Sequence, residues 1–413
     1  MTKPEILSPA GDFLRLQLAI AYGADAVYLG GASFSLRANA KNFDDSELAR
    51  AVMYAHAHGV RVYAGVNIFA RNNDIRELAA YLEYLKSIKI DAIIVSDLGV
   101  FALARQVLGA DVEIHISTQA NVTNYQSAMM YEGVGASRVI LARELSLNEI
   151  TEINDKCKSD SFSTEVFVHG AMCVSYSGRC LLSNYMTANN NQIIRDGNRG
   201  DCAQPCRWKY ALVEETRPGQ YYPIEEEDGF GTYIMNAKDL CMIEHIPALV
   251  ASGVSSFKIE GRMRSPYYAA TVTQAYRRAV DDYFADPAVY ESNKNKYLKE
   301  LKKSAYRDFC TGFFFGMPEN GQDYVYSGTD VAQDFCGIID GYDTKTSIAT
   351  LLQRNKFSVG DRVEFIKAGY TQTITEMFDE EGAVITSAPH PKQKISIKTD
   401  RPVDAFDIMR RIN

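Results

Sequence analysis

The chain has 413 residues, a formal net charge of −8, 46% hydrophobic and 23% charged residues, and eight cysteines. This length predicts two or three domains, and the composition excludes a disordered, fibrous or collagen-like chain. The acidic balance speaks against broad nonspecific nucleic-acid binding and leaves room for a local basic site.

The opening run, Met1 to Leu7, enters an apolar strand without a secretory pattern, and no apolar run is long enough for a membrane helix. A cytoplasmic location without membrane contact is therefore expected. Up to about residue 285, β-branched runs alternate with amphipathic helical stretches. The predicted strands are Glu5–Leu7, Ala26–Gly30, Arg61–Asn67, Ala92–Ser96, Glu113–Ser117, Arg138–Ala142, Glu165–His169 and Ser256–Glu260. Asp12–Tyr22 and Asp44–His58 read as helices, each fronted by Asp and closed by Gly23 or Gly59. Strict alternation of eight strands predicts a (β/α)8 TIM-type barrel over residues 1–285. An open doubly wound sheet is the runner-up, but it lacks its Gly-x-Gly-x-x-Gly fingerprint after the first strand.

After the seventh strand the alternation stops. An insertion at about 170–235 precedes the next helical pattern, Lys238–Ser252. It carries Cys173, Cys180, Cys202 and Cys206, then a predicted hairpin (Tyr210–Val213 with Tyr233–Met235) with an acidic tip, Glu225 to Asp228. The loops that follow barrel strands lie on the face that holds active sites, so the cysteines fall where chemistry is expected. Residues 286–335 read as a helical linker whose Lys-rich stretch, Asn293–Lys303, is a solvated helix. From 336 to 413, short segments recur at Gly337–Ile339, Ser347–Leu352, Asp361–Ile366, Thr371–Glu376, Ala383–Thr386 and Lys394–Ile397. They predict a small C-terminal all-β barrel.

Disulfides are not expected in a reducing compartment. Four thiolates on short spacers form a complete ligand set for structural Zn or for a 4Fe–4S cluster. Six residues separate Cys173 from Cys180 and three separate Cys202 from Cys206, so only the second pair has zinc-like spacing and the cluster is favoured. Cys241 is an alternative ligand or a core residue, whereas Cys157, Cys310 and Cys336 read as small buried hydrophobes.

The run Glu165 to Cys173 (EVFVHGAMC), followed by Gly178-Arg179-Cys180-Leu181-Leu182-Ser183, resembles the signature of the peptidase U32 family. Ser8-Pro9-Ala10-Gly11, Gly23 to Gly30 (GADAVYLG) and Lys258-Ile259-Glu260-Gly261-Arg262 are similar to further motifs of that family. The resemblance extends through the barrel to the appended β-domain. It implies either a collagenase-like protease or an oxygen-independent hydroxylation protein; by length and the extra β-domain, the chain most resembles the type that forms 5-hydroxyuridine at the tRNA wobble position. Related types act on ribosomal RNA or on a small aromatic. The resemblance also implies a 4Fe–4S cluster on Cys173, Cys180, Cys202 and Cys206, prephenate as the hydroxyl source, tRNA as partner and a related U32 subunit as a further candidate partner.

Against proteolysis, there is no His-Glu-x-x-His and no Gly-x-Ser-x-Gly; His56 and His58 lie two apart on a helix and share no face. Candidate catalytic residues are His169, Arg143 and Glu260, and candidate substrate-binding residues are Arg37, Arg143, Arg262 and Gln119, since guanidinium groups match carboxylate or phosphate. Asn67, Asp97, Asn121 and Glu144 complete the expected ring of polar groups at the mouth, and His115 reads as a barrel-core histidine. Arg195, Arg199, Arg207 and Lys209, beside Tyr185 and Trp208, fit either a base-stacking RNA surface or neutralisation of cluster thiolates. A scaffold that keeps the cysteines as a structural metal knot is the non-catalytic reading.

Overall fold

The computed structural model describes residues 2–36, 42–157, 159–173, 175–187, 195–208, 237–305, 307–316 and 335–412, with short pieces between 211 and 223. Two compact units form: one comprises Met1–Leu298 with Tyr306–Gly328, the other Lys299–Ala305 with Thr329–Asn413.

The first unit is a closed parallel barrel. Its strands are β1 (Glu5–Pro9), β2 (Ala26–Leu29), β3 (Arg61–Val66), β4 (Ala92–Val95), β5 (Glu113–Ile116), β6 (Arg138–Ile140), β7 (Ser163–Ala171) and β8 (Ser256–Ile259). Each pairs in parallel with the next, and β8 closes the ring by pairing with both β7 and β1. Around it lie α1 (Phe13–Ala21), α2 (Asp45–Ala57), α3 (Asn72–Ser87), α4 (Leu98–Leu108), α5 (Tyr125–Gly133) and α6 (Leu147–Lys156). The insertion holds α7 (Leu182–Thr187), and α8 (Ile246–Ala251), α9 (Pro266–Ala285) and α10 (Pro287–Lys302) follow.

Helix starts follow local chemistry. The Asp12 side chain accepts the Arg15 N–H at 2.9 Å, and Asp44 and Ser146 each build a capping box with the Glu three residues on. The strands are buried on both faces because helices cover one side and barrel side chains fill the other, which is why they read as continuous apolar runs.

One expectation is corrected here. Lys238–Ser252 is not one helix: Asp239–Cys241 is a strand, a 3-10 turn follows at Ile243–His245, and the α-helix begins only at Ile246. The cause is β7, which extends two residues past its expected end. Its last residues, His169 to Ala171, pair antiparallel with Cys241 to Asp239, so an open edge captured the segment. A bulge between Lys258 and Ile259 re-aims β8 at this level. Within the insertion, Ala211–Leu212 pairs antiparallel with Tyr222–Pro223; Tyr233–Met235, the other arm of the expected hairpin, and the acidic tip at 225–228 lie outside the described residues.

The second unit is an antiparallel half-barrel. Its strands run in the order Tyr370–Thr373, Arg362–Phe365, Ile408–Arg411, Phe335–Asp343, Ile348–Gln353, Lys394–Lys398 and Met377–Phe378. Cys336, Ile339, Leu351, Phe365, Ile397 and Met409 are among its core residues. Segment 383–386 forms no strand and contributes one bridge, Val384 to Phe378, because a tight turn at Asp379 to Ala383 occupies its partner edge. Arg410, buried in this unit, donates to Glu300 at 2.9 Å and to Glu364 at 2.7 Å. Among the described residues no helix is long and apolar enough to cross a membrane.

Candidate functional site at the barrel mouth

All four insertion cysteines line one cavity of about 160 Å³ at the C-terminal end of the barrel. Its other walls are the barrel interior: Tyr28 from β2, Ile94 from β4, Phe167 from β7 and Lys258 from β8, with Asn67, Gln119, Arg143, Glu260 and Arg262 just past strand ends. Burial pushes the Cys206 thiol up, and the charges of Cys173, Cys202 and Cys180 add to this against Arg207. Backbone N–H groups of Leu182 and Gln204 point at the sulfurs of Cys180 and Cys202, each at 3.3 Å. Such donors favour thiolate over thiol and suit metal-ligating sulfur. Among the described residues no three His, Cys, Asp or Glu side chains converge as ligands of a single metal ion; the thiols ring the cavity instead.

The insertion is fastened to the barrel mouth by specific bonds. Glu144 accepts the Ser177 N–H at 2.7 Å and its hydroxyl at 2.6 Å. Arg179 donates to the Gln119 carbonyl at 2.8 Å, and Arg199 forks onto Asp74 at 2.8 and 2.9 Å. The Asn198 side chain clasps Cys180, accepting from its N–H at 3.1 Å and donating to its carbonyl at 2.9 Å.

These contacts decide what several candidates do. Of the basic set, Arg195 binds Asp201 and the Cys202 carbonyl, Arg199 binds Asp74, and Arg207 binds the Met172 carbonyl. They hold the insertion together; Lys209 lies outside the described residues. Tyr185 (73% exposed) and Trp208 (40%) present their rings to solvent.

Arg143, Gln119, Glu260 and Arg262 line the cavity. Arg262 is buried and spends its guanidinium on the Ser35 hydroxyl at 2.8 Å and the Leu36 carbonyl. Tyr28 donates to the Ile259 carbonyl at 2.9 Å and stands 3.5 Å from a Glu260 oxygen. Gln119 accepts from Asn67 at 3.3 Å. Arg37 lies outside the described residues. Asp97 caps α4, and Asn121 sits in the left-handed region at the end of a short turn.

His169 is not among the cavity-lining residues. It is walled in by Tyr268, Tyr276 and Phe309, with ring centres 5.9, 5.6 and 5.3 Å away. Burial lowers its pKa to about 3, so the imidazole is neutral. Cys241 is buried on the extra strand, its thiol pushed up to about 12, and does not line the cavity. His115 is fully buried in the barrel and bonds Glu113 at 2.9 Å.

Below the cavity runs a buried charge chain that sequence reasoning missed. Lys258 binds Glu165 at 2.8 Å, Arg138 reaches Glu165 at 3.2 Å and Glu5 at 2.7 Å, and Tyr63 bonds Glu5 at 2.6 Å. A signal existed: Glu165, Arg138 and Lys258 are charges inside otherwise apolar strands, where an unpaired charge is prohibitively costly.

Comparison with known proteins follows the same outline. The description "Peptidase family U32" matches residues 11–323, and its C-terminal domain matches 332–410. The tRNA hydroxylation protein P1 of Bacillus subtilis is 41% identical over 413 residues, covering 99% of this chain and 95% of that protein. A Methanocaldococcus jannaschii protein named as an uncharacterized protease is 41% identical over 373 residues, covering 89% of this chain and 87% of its own length. The tRNA hydroxylation protein P of Escherichia coli is 36% identical over 433 aligned residues, covering 94% of this chain and 92% of that protein. With both matches spanning barrel and half-barrel alike, the chain belongs to peptidase family U32.

Proposed function

We propose that this protein is an RNA-modifying hydroxylase acting on tRNA. The observation that carries this reading is the ring of four cysteines over the barrel cavity, in a chain similar over nearly its whole length to two proteins named for tRNA hydroxylation. The finer reading is oxygen-independent formation of 5-hydroxyuridine at the wobble position, with prephenate as hydroxyl donor.

In this reading Cys173, Cys180, Cys202 and Cys206 hold a 4Fe–4S cluster; the all-thiol donor set and the N–H groups aimed at Cys180 and Cys202 suit it. When bound, such a cluster supplies electron transfer or Lewis-acid contact. The chain's own residues do the rest. Glu260, held beside Tyr28, is placed to take or give a proton at its carboxylate. Gln119 and Asn67 offer amide groups to a pyrimidine edge, and apolar walls at Ile94, Ile140 and Phe167 exclude water. Exposed Tyr185 and Trp208 supply stacking surfaces for an unpaired base. A peptidase reading needs a nucleophile touching its base, whereas His169 is enclosed by aromatic rings.

The test is metal and sulfide content of protein purified without oxygen, together with 5-hydroxyuridine in tRNA from a deletion strain. About four irons and four sulfides per chain are expected, with tRNA modification restored by the gene and not by Cys180→Ala. Stoichiometric zinc would refute the cluster, and unchanged tRNA in the deletion strain would refute the substrate.

A further inference from the structure

We propose that the half-barrel unit carries a docking surface for the phosphate backbone of RNA, formed by Arg354, Lys356, Lys392 and Lys394. Two tips of its sheet, at 353–357 and 388–394, are tied together by hydrogen bonds. The Gln353 N–H donates to the Gln393 carbonyl at 2.9 Å, the Lys392 N–H donates to the Gln353 carbonyl at 3.0 Å, and the Gln353 side chain donates to the Ala388 carbonyl at 2.6 Å. Lys394 stands opposite Leu352 in the ladder, and Phe357 opposite Ala388. Four basic side chains are thereby gathered at one end of this strand pair. Lys356, Lys392 and Lys394 are exposed; Arg354 is half-buried, with its Nε buried and without a hydrogen-bond partner. Among the described residues none of the four forms an ion pair, whereas Lys367 pairs with Asp404 at 3.4 Å and Lys398 with Glu376 at 3.2 Å. Asp379, on the neighbouring strand end, spends its carboxylate on the N–H groups of Glu381 and Ala383.

The backbone supplies a second observation. The Gln393 N–H closes a turn onto the His390 carbonyl, with Pro391 and Lys392 as its central residues. Lys392 has φ +69°, a left-handed conformation in which turns ordinarily place Gly or Asn. A strained position that holds a charge outward, where glycine would relieve the strain, points to a use for that charge. In a chain of net charge −8, a cluster of unpaired cations repels itself and attracts a polyanion. Neither tip contains a large exposed hydrophobic side chain among the described residues. Protein partners are held by aromatic and apolar anchors and disfavour lysine, whereas phosphates are held by Lys and Arg. Such contacts position a nucleic acid without reading its bases. The inference rests on the tRNA reading and adds to it a holding surface far in sequence from the thiols.

Fluorescence anisotropy of an unmodified tRNA transcript with the full-length protein, purified without oxygen, tests this over a series of KCl concentrations. Two charge-matched variants are compared: Lys356→Gln/Lys392→Gln/Lys394→Gln, and Lys345→Gln/Lys367→Gln/Lys398→Gln, whose lysines stand beside Asp343, Asp404 and Glu376. The first should bind about tenfold more weakly or worse, with a salt slope shallower by about two, and the second should stay within about threefold of the unaltered chain. The loss should be the same for transcripts with different anticodons. In the unaltered chain, tRNA should protect Lys356, Lys392 and Lys394 from acetylation, a readout that needs no variant. Equal binding by the two variants, an unchanged salt slope, or no protection would each overturn the surface. So would loss of binding to phosphatidylglycerol vesicles with tRNA binding intact, which would give the patch to a lipid face. Failure of the substrate reading looks different, because the unaltered chain would then bind no tRNA at all.

Discussion

At the scale of single residues, the barrel interior is a place where charge state is fixed by surroundings. His169 has no polar partner on Nδ1 and is held neutral by burial, with a pKa of about 3. An unfolded histidine titrates near 6.5. Between about pH 6.5 and 3 the unfolded chain therefore binds a proton that the folded chain refuses. Stability falls as pH drops through that window, with a limiting slope of about 1.4 kcal/mol per pH unit from this group. Urea unfolding at a series of pH values should show this loss, and His169→Phe should flatten the part above pH 4.5. If wild type and variant lose stability in parallel there, His169 is not the cause. Glu165 is held in the other charge state: burial raises its pKa, but Lys258 and Arg138 outweigh that and hold the carboxyl below its usual range, so it stays ionised. Its stabilising contribution is full above the ordinary carboxylate range and is lost as pH falls below it, in the same direction as that of His169, so only the limb above that range isolates the histidine.

At the scale of elements, the junction where β7 leaves the barrel carries the site. Gly170 has φ +109°, and a Cβ there would stand 2.5 Å from the Glu260 carbonyl and 3.0 Å from the Tyr268 hydroxyl. Only glycine fits both the backbone angle and the close approach. Gly170→Ala should cost at least about 2 kcal/mol and lower the melting temperature by several degrees; it should also displace Glu260 and, if the proposed cluster is bound, lower the iron content. Calorimetric melting with metal analysis checks this, and an unchanged melting temperature would show that β7 and β8 are free to part. The strands and helix caps of this region were legible because their periodicity and capping residues are local. The strand at Asp239–Cys241 was not, since three residues carry no period and the partner edge is supplied by β7.

At the scale of the whole molecule, the chain carries two cores. The half-barrel unit buries its own apolar set and closes over Arg410, which is 1% exposed between Glu300 and Glu364. A fragment joining residues 299–305 to 329–413 should fold alone, with a β-type circular dichroism spectrum and one cooperative melt. Arg410→Ala in that fragment should cost about 3 kcal/mol, because two carboxylates lose a buried partner. A broad, non-cooperative melt of the unaltered fragment would contradict this. Ile408–Arg411 lies in the middle of this unit's sheet yet alternates poorly in sequence, its polar members being satisfied by distant acids.

The alternation of strand and helix, the placement of four cysteines after the seventh strand, and the family motifs are all written in local spacing and can be read from the chain before it folds. Tertiary structure decided which groups share the cavity. Gln119, Arg143, Lys258 and the thiols come from separate strand ends that only closure of the barrel brings to one place. It also decided that Arg195, Arg199 and Arg207 hold the insertion, while Lys258 faces the cavity. A charge's role depends on which partners reach it, and those partners lie far off in sequence: Asp74 stands 125 residues from Arg199 and Glu5 133 from Arg138.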